Sequence, residues 1–178
     1  MNRFKNIIID RSGNFFKNME YLSRVMFLHM RNEKYMDDDY AYNGESFFEH
    51  FIDLVERVCP FFWVIIDGDN VSGFVYLDNV IGNSKSLHSA ELVTCFDRAY
   101  WGKYTKICAK LFIDYCFETF GFIKIKALIY PQNFRVKAIL KESGFEKEGV
   151  LKSETKKNGI LQDIEIFSIF NKEKKGKI

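Results

Sequence analysis

The stretch AYWGKYTKICAKLFIDYCFETFG, residues 99–121, opens like a phosphate-binding turn and continues like a helix. Apolar side chains recur at Ile107, Cys108, Leu111, Phe112, Tyr115 and Cys116, three and four residues apart, the stripe of an amphipathic helix. Gly121 stands where such a helix takes a left-handed C-terminal residue. Ahead of the stripe lies one glycine, Gly102, followed by Lys103, Tyr104, Thr105 and Lys106. Backbone N–H groups at a helix start have no carbonyl one turn back, and the helix dipole is positive there. A turn of small residues lets a phosphate approach them. This turn is glycine-poor for that task, so its neighbours must decide what it holds.

The neighbours read as strands. FIKIKALIY, residues 122–130, alternates apolar and basic residues until Pro131 stops it. Asn133 is a good N-cap for a short helix through Val136, Ile139 and Leu140, and Gly144 closes it. FEKEGVLKSE (145–154) and ILQDIEIFSIF (160–170) are two further strands, with Asn158-Gly159 between them as a hairpin signal. On the other side, FFWVIID (61–67) turns through Gly68, Asp69 and Asn70 into VSGFVYLDNV (71–80), and LHSAELVTCF (87–96) follows. Earlier still, Ile7–Asp10 is a short strand candidate. Residues 18–30 have helical spacing at Met19, Leu22, Met26 and Met30. A polar, acidic loop covers 31–45. Ser46 and Glu49 form a capping-box pattern ahead of a helix through Phe47, Phe51, Leu54 and Val55. This order of elements predicts an α+β fold, a sheet with helices on its faces and one long helix crossing between two strands.

The bulk properties suit one domain, expected over residues 1–171 with a lysine-rich flexible tail at 172–178. The 178 residues are 47% hydrophobic, enough for a sizeable core. A formal net charge of +2 gives no global field toward nucleic acid or an anionic membrane. Lys124 and Lys126 alternate on one strand face and read as solvating it. Cys59, Cys95, Cys108 and Cys116 form no CxxC pair and have no histidine cluster beside them, which argues against a metal site. Three of the four lie inside apolar stretches and read as buried free thiols, which fits a reducing compartment. The N-terminus does not read as a signal peptide, and no run approaches a membrane span. The expectation is a cytoplasmic protein.

Several short motifs, in order, carry a resemblance. They are Ala90-Glu91, Trp101-Gly102, Asp114-Tyr115-Cys116-Phe117-Glu118, Pro131-Gln132-Asn133, Gly144-Phe145-Glu146-Lys147-Glu148-Gly149 and a late Asp163. Over about residues 60–170 the chain resembles the GNAT N-acetyltransferase superfamily, and its ribosomal-protein N-terminal acetyltransferase branch in particular. The resemblance implies a GNAT-like fold, with a central mixed, mostly antiparallel sheet of about seven strands flanked by about four helices. It also implies acetyl-CoA as the cofactor, its pyrophosphate on the turn at Gly102 and its acetyl group passing to a primary amine, either a protein N-terminus or a small amine. A homodimer through strand edges is compatible with such a fold.

The resemblance places Cys95, Phe96, Trp101, Gly102, Lys103, Tyr104, Thr105, Lys106, Asn133 and Arg135 against coenzyme A. The turn departs from the family pattern: it lacks the second glycine and, aligned from Asp114-Tyr115 backwards, is one residue short. Lys103 and Lys106 are candidates to compensate with charge-assisted contacts. Glu91 is the candidate general base. In a mostly apolar run it is expected to have a raised pKa, suited to taking a proton. His88, three residues earlier, points to the opposite face of a regular strand and is the weaker candidate. Many relatives place a tyrosine acid in the helix after Asn133, where this chain has Leu140, and Tyr130 and Tyr104 are the nearby alternatives. The family's acceptor loop corresponds to the acidic loop here, with Asp37, Asp38 and Asp39 among Tyr35, Tyr40 and Tyr42. Asp38, Asp39 and Tyr40 are the candidate acceptor-binding residues, since acidic and aromatic groups suit a cationic amine. Two readings stand: an acetyltransferase working by direct attack in a ternary complex, and a catalytically degenerate module of the same fold that binds acyl-CoA or a protein partner.

Overall fold

The structure is a computed structural model and describes residues 3–9, 16–41, 46–83 and 85–172. Its elements are β1 (Phe4–Asn6), β2 (Ile8–Ile9), β3 (Phe16–Lys17), α1 (Leu22–Met36), α2 (Phe47–Arg57), β4 (Phe62–Asp67), β5 (Asn70–Asn83), β6 (Ser86–Phe96), α3 (Lys103–Tyr115), β7 (Lys124–Ile129), α4 (Phe134–Glu142), β8 (Glu146–Lys157) and β9 (Ile160–Phe170). Seven strands form one sheet in the order β1-β4-β5-β6-β7-β9-β8, and β2 pairs with β3 separately. The β1–β4, β4–β5, β7–β9 and β8–β9 pairs are antiparallel, whereas β6 and β7 are parallel. The α+β expectation of about seven strands and four helices holds.

Three local readings shift. The strand expected at Ile7–Asp10 divides: Phe4–Asn6 joins the main sheet and Ile8–Ile9 pairs with β3, while Asp10 lies outside the described residues. The helix expected over 18–30 starts as a 3-10 turn, Met19–Tyr21, and α1 then runs on to Met36. Arg31–Met36 contains no glycine or proline, and the Asp37 N–H still donates to the Glu33 carbonyl at 2.8 Å. The buried face of α3 is Thr105, Cys108, Phe112 and Ile113, while Ile107 and Leu111, expected inside, are exposed. A π turn at Cys116–Phe120 follows before Gly121 ends the segment at φ 67. Tyr42 of the acceptor loop, and the tail beyond Lys172, lie outside the described residues.

The chain divides into two compact units, Met1–Leu77 with Val93–Trp101, and Asp78–Leu92 with Gly102–Ile178. In the first, Val25 and Leu28 of α1 and Phe51, Leu54 and Val55 of α2 pack with Phe62, Val64, Phe74, Tyr76 and Cys95 of the sheet. The Ser46–Glu49 capping box starts α2 as its sequence required. Gly73 is fixed by close approach: a Cβ there would stand 2.6 Å from the Cys95 carbonyl oxygen. In the second unit, α3 supplies the crossover that two parallel strands require. Asn158 (φ 53) and Gly159 (φ 77) turn β8 into β9.

His29 is the unusual member of the first core. It is 1% exposed, with Phe47, Phe51 and Phe74 ring centroids at 5.4, 5.6 and 5.8 Å. Its Nδ1 has no hydrogen-bond partner, and its Nε2 lies 3.7 Å from Asp37 Oδ1. Burial first, then His50, lowers its pKa from 6.5 to about 4, with Glu33 opposing. The unfolded chain therefore takes up this proton at a higher pH than the folded one. Stability is complete above pH ~6.5 and falls by about 3 kcal/mol as pH drops through ~4. Denaturant titrations between pH 7 and 4 are expected to show this loss, and His29→Leu is expected to flatten it.

Candidate active site

The residues after β6 fold into a tight corner. Asp97 Oδ1 accepts the Ala99 N–H at 3.0 Å, and Oδ2 pairs with Arg31 at 2.9 Å. A 3-10 turn, Arg98–Tyr100, follows. Trp101 then reaches back, its Nε1–H donating to the Phe96 carbonyl at 3.1 Å, with the Arg98 guanidinium 5.5 Å over its ring. Cys95 and Phe96 are both buried. Burial pushes the Cys95 thiol up to about 12, with Asp97 adding and Arg31 opposing, so it stays protonated and is no nucleophile. Burial also pushes the Cys116 thiol up.

In the second unit, α3 begins at Lys103, directly after Gly102. Gly102 has φ 103 and ψ −126, a backbone conformation closed to most L residues, and nothing stands within 4 Å of where its Cβ would be. The first turn of α3 carries no acidic side chain. A helix start with open space at a glycine and no acidic residue in its own first turn fits a pyrophosphate. Lys103 is exposed there. Thr105 is buried on the inner face, and Lys106 is held by Glu142 of α4 at 2.7 Å.

Glu91 occupies the last of three parallel pairs, Ser89↔Lys124, Ala90↔Ile125 and Glu91↔Lys126. β7 pairs with β9 along its whole length, to Ile129, whereas among the described residues β6 has no β7 partner beyond Glu91. The apolar surround expected for Glu91 is not what the fold provides. Its Oε1 accepts from Lys126 Nζ at 2.9 Å and its Oε2 from Asn79 Nδ2 at 2.8 Å. Lys126, expected to solvate a strand face, is this partner, and Lys124 likewise pairs with Glu148 at 2.6 Å. The cross-strand register turns the two lysines toward carboxylates, which a one-strand pattern does not reveal. The Lys124 contact holds the Glu148 carboxyl below its usual range.

The remaining candidates take separate places. Asn133 caps α4 by accepting the Val136 N–H at 3.4 Å, and Arg135 is exposed in the helix's first turn. The half-buried Tyr130 has Lys157 Nζ 5.0 Å from its ring centroid. Leu140 is buried and belongs to the core. His88 is exposed. Asp38 forms a local turn, its Oδ1 accepting the Tyr40 N–H at 2.9 Å, and Asp39 and Tyr40 are exposed.

Residues 19–146 match the acetyltransferase (GNAT) domain. The chain belongs to the GNAT acetyltransferase family. This GNAT chain is 31% identical over 104 residues to "Probable N-acetyltransferase YjcK" of Bacillus subtilis (strain 168), covering 58% of this chain and 56% of that one. It is 32% identical over 88 residues to "Uncharacterized N-acetyltransferase p20" of Bacillus licheniformis, covering 49% of each. The chain thus spans about half the length of the curated relatives it matches. Among solved structures, ribosomal-protein-S5-alanine acetyltransferase from Vibrio fischeri superposes with a TM-score of 0.73 at 21% identity, covering 97% of this chain and 96% of that one. Spermidine N-acetyltransferase from Vibrio cholerae, in complex with CoA and spermine, gives 0.71 at 21%, covering 96% of each. At these identities the superpositions establish the GNAT fold. Among the described residues no helix is long and apolar enough to cross a membrane.

A Gly102→Ala substitution tests the turn. The added methyl meets open space, so its cost comes from backbone strain, of order 1–2 kcal/mol. A thermal melt is expected to fall by a few degrees, and acetyl-CoA affinity by about tenfold in calorimetry.

Proposed function

We propose that this protein transfers an acetyl group from acetyl-CoA to a primary amine, a protein N-terminus or a small amine, by direct attack in a ternary complex. The observation that carries this is the end of parallel pairing at Glu91↔Lys126. It leaves strand backbone beyond Glu91 with donors and acceptors that an extended, amide-bearing arm such as pantetheine can use. The glycine start of α3 supplies amides for the pyrophosphate, with Lys103 beside it. Asn133 presents its side chain at the start of α4, where the family resemblance puts the pantetheine arm. The names of two structural neighbours, a ribosomal-protein-S5-alanine acetyltransferase and a spermidine N-acetyltransferase, support an amine acceptor.

Coenzyme A supplies an activated acetyl thioester, whose thiolate is a fair leaving group without a dedicated acid. That suits a chain with Leu140 where a tyrosine acid is common. The work left to the protein is to hold the amine and take its proton. Glu91, fixed on both oxygens, keeps one lone pair on each to accept a proton directly or through water. A protein N-terminus, with a pKa of about 8, needs less of this help than an alkylamine near 10.4, a difference of about 3 kcal/mol. The exposed Asp39 and Tyr40 and the turn at Asp38 are candidates to attract a cationic acceptor.

Calorimetric titration with acetyl-CoA, followed by peptide and amine acceptors, tests this. Micromolar binding with acetyl transfer is the expected result. Glu91→Gln is expected to lower kcat at least a hundredfold while the acetyl-CoA Kd stays within twofold. Failure to bind millimolar acetyl-CoA would remove the enzyme reading and favour a degenerate GNAT module that binds a protein partner.

A further inference from the structure

Asn79 interrupts an otherwise extended strand. It lies inside β5, Asn70–Asn83, yet has φ 46, in the left-handed region that non-glycine residues enter at a cost. Asparagine tolerates that region better than most residues, and here the Asn79 N–H is met by Asp78 Oδ1 at 2.8 Å. The side chain this kink redirects ends on a carboxylate: Asn79 Nδ2 donates to Glu91 Oε2 at 2.8 Å, across twelve residues of sequence. Only an amide nitrogen can serve a carboxylate oxygen in this way, which fixes the orientation of the amide. Lys126 occupies the other oxygen at 2.9 Å.

We infer that Asn79 is a positioning residue, held in a strained backbone conformation so that its amide fixes the Glu91 carboxylate in one orientation. The inference rests on Glu91 acting as proton acceptor in the reaction proposed above. Lys126 alone leaves the carboxylate free to pivot about a single ammonium. A second donor from a different strand removes that freedom, so both oxygens stay aimed before any amine arrives. The division of roles is specific. Lys126 supplies charge, whereas Asn79 supplies direction without charge. Two residues along β7 from Lys126, Lys124 pairs with Glu148 at 2.6 Å, a carboxylate that Lys126 also acts on, and the Asp78 carboxylate stands on the Asn79 N–H.

Two substitutions separate this role from a structural one. Asn79→Gly relieves the left-handed strain and removes the amide, so the melting temperature is expected to hold or rise. At the same time kcat is expected to fall about tenfold, with the acetyl-CoA Kd within twofold. An unchanged kcat overturns the inference. Asn79→Asp is nearly isosteric and sets a second carboxylate against Glu91. Like charge favours the protonated form, and the base must be unprotonated, so the acid limb of the kcat/KM profile is expected to move up by about one pH unit. The Glu91 carboxyl resonance, followed by NMR on 13C-glutamate-labelled protein and assigned with Glu91→Gln, is expected to titrate higher by the same amount. A resonance that does not move overturns the inference whether or not the protein is active. A natural chain that binds acetyl-CoA but acetylates no amine defeats the proposed function instead, and the resonance still judges the Asn79–Glu91 contact.

Discussion

Three backbone pairs between β6 and β7 constrain the rest of this molecule. Parallel strands cannot be joined by a hairpin, so the chain must leave β6, cross the sheet and return. The crossover is α3, which starts at Lys103 with Gly102 as its N-cap. Because pairing stops at Glu91↔Lys126, that residue pair marks the place where the sheet gives up backbone contact. The polar groups that meet there come from three strands: Asn79 from β5, Glu91 from β6 and Lys126 from β7.

Several charges among the described residues of the second unit meet internal partners. Glu165 takes Lys147 at 2.6 Å and Lys137 at 3.1 Å, and the Lys147 contact holds its carboxyl below the usual range. Lys152 does the same for Asp163, and Lys106 is tied to Glu142. Exposed pairs of this kind add little stability each. Their effect is directional: they tie α3 to α4 and β8 to β9.

Local signals in the sequence were legible because their physics is local. The Ser46–Glu49 capping box, the Asn133 cap and the Asn158-Gly159 turn each involve groups a few residues apart, and each formed as read. The extension of α1 through Arg31–Met36 was not legible, because a polar helical segment without an apolar stripe looks like a loop. The inner face of α3 is legible in part: Cys108, Phe112 and Cys116 are buried as their spacing requires, whereas Ile107 and Leu111 face out. Glu91 itself could be singled out from its motif, but its partners depend on the register of strands far apart in sequence. Nothing in LDNV announces that Asn79 turns left-handed toward it, although an aspartate-asparagine pair inside an apolar strand is the one available hint.

The two tryptophans occupy opposite environments within the first unit. Trp63 is 3% exposed inside β4, whereas Trp101 is 39% exposed at the corner after β6, its indole nitrogen donating to the Phe96 carbonyl and its ring capped by a guanidinium. An indole in a dry core and one at a wet corner emit at different wavelengths and meet quenchers at different rates. The natural chain thus carries separate optical signals for its core and for the corner beside its glycine turn, with no label added.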